Sequence, residues 1–345
     1  MGYHVRKFLF EQDKEKLFQL WQEVLKKPEP KRLQALYKDN SYGITSTWLI
    51  FHNEGEKPAG SLSVFPRRFN INGESVLVGI NCDIIIQKQH RTLGPAIMML
   101  NALVKGAPGL GYQVLLAMPN QMSQPVFKRA GYEKAGSASR WSKVLKCEEK
   151  IQSVIRNRHI ARLISPLIDI VLYRVSFIQW TNVHYRKILK ESKTVAAKVG
   201  NASITEDMPD NGGASSSADY LKWRYAGVGT SNSEVFLLRS GDSKLIGYII
   251  FSVQDDVVVV EQISSSGAHS EEVLLSRFIH EMYVRKARSI QINYFGSQRY
   301  EHLLKKFGFM KREPRDVFIN IIDEKLRGNI PVFGDISLFD GDLDL

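Results

Sequence analysis

The segment that most restricts the fold is residues 76–87, a long apolar run that includes Ile84-Ile85-Ile86 and leads straight into a loop of turn and basic residues. Three β-branched residues in succession leave no polar face. Such a strand belongs at the centre of a sheet, covered on both sides. The loop Gln89-His90-Arg91-Thr92-Leu93-Gly94-Pro95-Ala96 then opens a helix over about 94–105. A loop in that place aims successive backbone N–H groups at one point, and a diphosphate fits there because helix N-termini bind anions. Gly94 and Ala96 are small enough to let a ligand approach the backbone. Pro95 is tolerated because the first helical turn has spare N–H groups anyway. Lys88, His90 and Arg91 add positive charge.

The rest of the chain reads as two blocks with the same order of elements. In the first, residues 5–8 form a strand, and Asp13 is placed to cap a helix that buries Phe18, Trp21, Val24 and Leu25. Strands follow at 48–51 and 58–65, then the hairpin signal Asn72-Gly73 and the 76–87 strand. After the loop and helix come a strand at 112–118, a helix at 123–129 stopped by Gly131, and a strand near 139–144. The second block begins near Asp219, with strands at 235–239, 245–253 and 257–263, a helix at 270–286 and a strand at 289–294. A helix ending at Gly308-Phe309 and a strand at 317–322 complete it. Gly60 matches Gly247 (247 − 60 = 187) and Gly131 matches Gly308 (308 − 131 = 177), the difference falling where the second copy has shorter loops. The expected division is a first domain at 1–145, a connector at 146–200, a second domain at 201–325 and an acidic tail at 326–345.

The connector is basic, with Ile160, Leu163, Ile164, Leu167, Ile168, Val171, Leu172, Val175 and Ile178 on one side of a helix. A helix filling the groove between the domains is the favoured reading. A weak peripheral contact with anionic lipid through Arg156, Arg158, Arg162 and Arg174 is the alternative. The loop 211–217 reads as flexible. Asp335, Asp340, Asp342 and Asp344 make the tail a solvated segment able to dock on a basic surface.

The chain carries 47 Lys and Arg against 36 Asp and Glu, a formal charge of +11, which favours anionic partners without choosing among them. Cys82 and Cys147 form no CxxC pair, and the eight histidines show no ligand spacing, so neither a disulfide framework nor a metal is expected. Residues 1–7 lack the apolar core of a signal peptide, and no apolar run approaches the ~20 residues of a membrane span. A cytoplasmic location is the expectation.

Residues 91–96, as Arg91-x-x-Gly94-x-Ala96, resemble the coenzyme-A loop of the GNAT (GCN5-related N-acetyltransferase) superfamily, which reads Arg/Gln-x-x-Gly-x-Gly/Ala. The downstream order also resembles it: an apolar strand at 115–118, Asn120, the 123–129 helix and Gly131-Tyr132. The resemblance implies an α/β (α+β) chain of two tandem GNAT-like domains, each a mixed, mostly antiparallel sheet flanked by helices. It also implies acetyl-CoA or another acyl-CoA as co-substrate. The coenzyme site would comprise Ile85, Ile86, Gln87, Arg91, Thr92, Leu93, Gly94, Pro95, Ala96, Asn120 and Phe127. The second copy departs from the pattern: its matching loop is Ser264-Ser265-Ser266-Gly267-Ala268-His269-Ser270, followed by Glu271 and Glu272. Carboxylates in a first turn satisfy the helix dipole themselves and repel a diphosphate, so only the first copy is expected to hold coenzyme A. The stretch from Asp219 to Tyr225 is similar to tandem GNAT proteins of bacterial surface-polysaccharide clusters, which suggests an amino sugar as acceptor.

Enzymes of this superfamily attack the thioester directly with a neutral amine. Asp83, a carboxylate in an apolar strand, is the candidate base, with a structural ion pair as its other reading. Strand alternation would put Cys82 on the opposite face. The superfamily's usual acid is a Tyr four residues before the Gly-aromatic pair. Phe127 occupies that position, which shifts the role to a residue such as Tyr132, for which core packing is the competing reading. Trp223 and Arg224 are candidates for the acceptor pocket, Arg224 as a clasp for phosphate or carboxylate. The partner expected is a small-molecule amine, with no nucleic acid; the oligomeric state is open. Two other functions fit the sequence: a Fem-like aminoacyl-tRNA-dependent ligase, and a non-catalytic acyl-CoA-binding regulator.

Overall fold

The computed structural model describes residues 2–24, 33–34, 37–53, 55–71, 74–146, 193–198, 218–227, 233–327 and 338–339. The Asn72-Gly73 turn, residues 147–192 of the connector, the 211–217 loop and the tail aspartates lie outside them.

The first copy contributes strands β1 (Tyr3–Lys7), β2 (Ser46–His52), β3 (Pro58–Ile71), β4 (Glu74–Ile86), β5 (Val114–Ala117) and β6 (Glu133–Val144). Its helices are α1 (Phe10–Val24), α2 (Leu93–Gly106) and α3 (Gln124–Arg129). Strand β7 (Lys193–Lys198) and helix α4 (Ala218–Leu221), which runs on into a π-helical turn at Lys222–Gly227, precede the second copy. That copy holds β8 (Glu234–Arg239), β9 (Leu245–Gln254), β10 (Val257–Ser265), α5 (Ala268–Val284), β11 (Ser289–Phe295), α6 (Gln298–Lys306) and β12 (Met310–Ile321). A short β13 (Leu338–Phe339) pairs antiparallel with β11.

The thirteen strands of the described residues join in one sheet, ordered β1-β2-β3-β4-β5-β12-β6-β11-β10-β9-β8-β7, with β13 beside β11. The order shows an exchange. The last strand of the second copy, β12, lies against β5, and the last strand of the first copy, β6, lies against β11. The two exchanged strands pair with each other at the centre. A linear division near residue 145 therefore cuts through a continuous sheet, and residues 193–198, expected within the connector, form an edge strand.

The exchange follows the repeat. Gly131 and Gly308 both take positive φ (+84° and +76°) just past a short helix, a conformation that costs glycine little. At the first helix end Asn320 Nδ2 donates to the Ala130 carbonyl; at the second, Lys143 Nζ donates to the Phe307 carbonyl. Asn320 and Lys143 differ by 177 positions (320 − 143), as the two glycines do (308 − 131). Each exchanged strand thus caps a helix C-terminus of the other copy at an equivalent place, satisfying a carbonyl the helix cannot. Asp316 on β12 adds Lys134 (2.7 Å), Ser137 (3.0 Å) and Gln124 (3.2 Å) from the first copy.

Alternation along the strands sorts the helices. Trp48, Ile50, Leu62 and Val64 pack with α2 and α3 on one face, and Trp141, Ile290 and Ile292 continue that face under α5 and α6. Leu49, Phe51, Phe65 and Phe69 face α1 on the other side, and Val235, Leu237, Tyr248 and Ile250 face α4. Asp13 does not precede α1 as a cap. It sits in the first turn, accepts from the Leu9 N–H at 3.0 Å and holds Arg6 through two 2.7 Å bonds. These contacts keep its carboxyl below the usual carboxylate range, the Arg6 hydrogen bond being the largest cause. No helix among the described residues is long and apolar enough to cross a membrane.

Candidate active site

The site is built where parallel strands part. β4 and β5 pair at Val78↔Val114, Gly79↔Leu115 and Ile80↔Leu116, and no further. From Asn81 to Ile86, β4 has no strand partner on that side among the described residues, which leaves a fork at its C-terminal end. β10 and β11 likewise pair from Val257↔Ser289 to Val260↔Ile292 and then separate, but there β13 pairs with β11 at Tyr294 and Phe295. A slanted parallel ladder depends on the strands keeping direction, so divergence leaves backbone N–H and C=O groups of the longer strand facing a gap.

From the fork, Gln87 and a 3-10 turn at Lys88–His90 lead to α2. Thr92, the residue before its first turn, makes no side-chain capping bond. The N–H groups of Leu93 and Gly94 have no intrahelical acceptor, and Pro95 has none to place. A Cβ built on Gly94 meets nothing within 4 Å. The protein itself therefore leaves that position open, and the glycine matters only to something approaching from outside. Arg91 is exposed and its Nε donates to the Ile86 carbonyl at 3.0 Å, which folds its side chain back toward the end of β4. Pro95 is buried; Thr92, Leu93 and Gly94 are exposed. Together these residues make an uncapped positive helix end beside a forked strand, which fits the diphosphate and arm of coenzyme A.

The equivalent helix start in the second copy is filled. Glu271 lies in the first turn of α5 and is ion-paired with Arg299 at 2.6 Å, and Glu272 pairs with Lys306 at 2.9 Å. Both cations come from α6, so two side-chain pairs stand where the first copy is bare.

On the other side of the sheet, β4 departs from regular pairing. Its register with β3 slips between Ser61 and Ser63, opposite Ile85 and Cys82, and Asp83 takes φ +49°. An extra residue in one strand turns a side chain out of alternation. Cys82 and Asp83, expected on opposite faces, accordingly turn to the same side: Cys82 packs in the α1 core, and Asp83 Oδ2 accepts from the Tyr37 hydroxyl at 2.8 Å. Tyr37 Oη is also 2.8 Å from Ser63 Oγ, which is 3.0 Å from Thr47 Oγ1. Tyr37 has one proton and gives it to Asp83, so the order of donation is Thr47 to Ser63 to Tyr37 to Asp83. Asp83 is half-buried, and the other three are almost wholly inside. Sequence reasoning missed Tyr37. Its only local signal is an i, i+4 spacing with Leu33, which says core and nothing of a carboxylate 46 residues away.

The remaining candidates are spread around the fork. Ile85 packs in the α1 core and Ile86 against the α2 core, so the two line opposite faces. Gln87 bonds to Glu23 through its side chain and to the Ala59 carbonyl through its N–H. Asn120 is a cap: its Oδ1 accepts from the Ser123 N–H at 3.0 Å. Phe127 is buried with Tyr132 at 5.0 Å, edge to face. The Tyr132 hydroxyl accepts from Asn81 Nδ2 at 2.7 Å, and burial pushes its phenol well above the ordinary tyrosine range. Tyr132 thus lies wholly inside the core, with one polar contact to Asn81. Trp223 reaches the α1 core and, with Tyr220, flanks the buried Arg67 guanidinium at 5.4 and 5.1 Å. Arg224 stacks over Tyr225 at 5.8 Å instead of joining them. Among the described residues no group of His, Cys, Asp and Glu is arranged to hold a metal ion.

Residues 5–135 match the family model described as an acetyltransferase (GNAT) domain. No protein in the curated comparison matches the sequence. Among solved structures, a GCN5-related N-acetyltransferase from Anabaena variabilis is similar at TM-score 0.62 and 14% identity, over 93% of this chain and 73% of the other. One from Kribbella flavida is similar at 0.59 and 10%, over 93% and 72%. A tandem GNAT protein from the clavulanic acid biosynthesis pathway is similar at 0.55 and 9%, over 93% and 99%. At such identities these likenesses carry the fold alone. The fold is thus GNAT-type across both copies, and the acetyltransferase domain model falls on the copy with the open helix end.

Proposed function

We propose that the protein is an acyl-CoA-dependent N-acyltransferase, moving an acetyl or similar acyl group to the amine of a small molecule, with amino sugars as the first acceptors to try. The observation that carries this reading is the uncapped start of α2, open at Gly94, beside the fork in β4, in a chain whose second copy closes the same place with Glu271 and Glu272. Coenzyme A, when bound, supplies the activated acyl thioester. The N–H groups of Leu93 and Gly94 would bind its diphosphate, with Arg91 adding charge, and the edge of β4 from Asn81 to Ile86, which the described strands leave open, would hold its arm.

Asp83 is the residue proposed to accept a proton, directly or through water, from the attacking amine. The Tyr37 hydroxyl holds its carboxylate in place, and the left-handed backbone at Asp83 turns it to the α1 side, away from α2. Nucleophile and coenzyme would then come from opposite faces and meet in the fork. No proton donor is assigned to the departing thiolate, because Tyr132 is enclosed in the core.

The test is thiol release from acetyl-CoA over a panel of amino sugars and other small amines, with Asp83→Asn as comparison. Amine-dependent release in the wild type, lost on the order of a hundredfold in the variant with coenzyme binding kept, is the expected outcome. Coenzyme binding without turnover on any amine would favour an acyl-CoA-binding regulator.

A further inference from the structure

The face of the sheet opposite α5 and α6 holds two joined hollows that play no part in the coenzyme site. One, of about 390 Å³, starts at Met118, just past the end of β5, and runs by Ala138, Arg140 and Phe295 to Gln254 and Val259. The other, of about 320 Å³, continues from Arg140 and Gln291, which line both, to Lys146, Arg288 and Arg312. The strand exchange builds them. β6 supplies Arg140, Ser142 and Val144 as alternate residues, β11 supplies Ser289 and Gln291, and Arg312 comes from β12 where its register with β6 breaks between Lys311 and Pro314. Lys146 is tied beside Arg288 by its N–H to the Arg288 carbonyl at 3.1 Å.

The second hollow is lined by four cations and no carboxylate among the described residues, while the first carries Glu313 beside Arg315. Arg140, Lys146 and Arg312 are exposed and make no ion pair or side-chain hydrogen bond among those residues. Converging cations repel one another, so a site that holds them together gains when an anion joins. Its floor of Ser142, Ser289 and Gln291 offers hydrogen bonds, and no aromatic ring lines this half of the trough, Tyr294 and Phe295 lining only the first hollow. That favours a phosphate over single-stranded nucleic acid, which stacks its bases on aromatic side chains. The first hollow leads from there to Met118, on the same side of the sheet as Asp83, because Met118, Ala138 and Phe295 belong to the core that Tyr37 shares.

We propose that this trough binds the phosphate or diphosphate of a soluble phosphate-ester acceptor, whose amine end extends along the first hollow toward the fork. The proposal rests on the acyltransferase reading for the amine, but the anion site stands on its own residues. Arginine suits the role, since its planar fork takes two phosphate oxygens at once.

The experiment is calorimetric titration of inorganic pyrophosphate into the full chain saturated with acetyl-CoA, so that the α2 end is filled. The same titration is made on an Arg140→Glu, Arg312→Glu variant. One saturable site per chain, weakened by about tenfold or more in the variant while acetyl-CoA affinity is kept, is expected. No saturable site, or equal affinity in the variant, overturns the proposal. If acetyl-CoA itself fails to bind, pyrophosphate titrated into Gly94→Trp decides the trough separately: retained binding supports it, and lost binding overturns it. Flotation with phosphatidylglycerol vesicles, or tight binding of a mixed oligonucleotide, abolished by the double substitution, would assign the trough to a membrane or nucleic acid and overturn the soluble-ester proposal.

Discussion

Gly94→Trp separates fold from function at the proposed coenzyme loop. A Cβ at this position meets no atom within 4 Å, and the residue is exposed in the first turn of α2. The folded protein therefore has room for the indole, and replacing glycine in a helix restricts the unfolded chain, an effect of about 0.4–1 kcal/mol in favour of folding. The urea midpoint is expected to stay or rise slightly. Binding should respond differently. A diphosphate seated on the first turn would take charge-assisted bonds from N–H groups at about 1.5–3 kcal/mol each. Losing two of them, or the approach they require, amounts to roughly 3–6 kcal/mol, a drop of about a hundredfold to ten-thousandfold in acetyl-CoA affinity. Calorimetric titration measures this beside urea unfolding of the same samples. If the variant binds acetyl-CoA within about threefold of the wild type, the diphosphate is not on that turn and the reasoning fails. If it unfolds, the reading of Gly94 as open space fails.

Three further outcomes follow from particular contacts. Tyr37→Phe should cost about 1–3 kcal/mol in urea unfolding, since Ser63 keeps Thr47 while the Asp83 carboxylate loses a donor; it should also lower kcat with the acetyl-CoA Kd unchanged, and unaltered turnover would remove Tyr37 from the site. Burial lowers the Lys143 ammonium to about 8 from 10.5. Below pH 8 folded and unfolded chains both carry that proton and the fold bears a buried charge; between 8 and 10.5 only the unfolded chain holds it, so stability rises with pH across that window. Against Lys143→Met, the wild type should gain about 2 kcal/mol between pH 7.5 and 9.5, and parallel curves would count against a buried ammonium. Arg67→Ala, at a fully buried guanidinium between Tyr220 and Trp223, should cost about 2–4 kcal/mol, and Arg67→Lys should restore less than half because it lacks the planar surface; a lysine variant as stable as the wild type would refute the stacking.

What could be read directly from the chain was local. The apolar run at 76–87 became β4, held between β3 and β5, and the 91–96 loop opened α2 one residue before the expected start. The repeat was legible because turns and glycines punctuate elements: Gly60 lies beside the Ile85 carbonyl, where a Cβ would come within 2.6 Å, and Gly247 beside that of Ser264 at 3.0 Å. Side-chain period and turn chemistry are properties of a few consecutive residues, so the sequence displays them.

Pairing between distant segments is not displayed in that way. The alternation of β6 and β12 suits an antiparallel neighbour from either copy, and only the assembled sheet chose the exchange that joins the copies and places Arg140, Gln291 and Arg312 together. The extra residue at Asp83 likewise depends on how β4 aligns with β3, and it sets Asp83 against Tyr37, which strict alternation could not foresee. The sequence by itself determined the elements, their repetition and the open helix start, because period, turn residues and the want of a cap act within a turn or a strand. Tertiary structure decided which edges met and which polar groups converged, because backbone hydrogen bonding rewards any well-aligned edge and leaves the choice to packing of the whole.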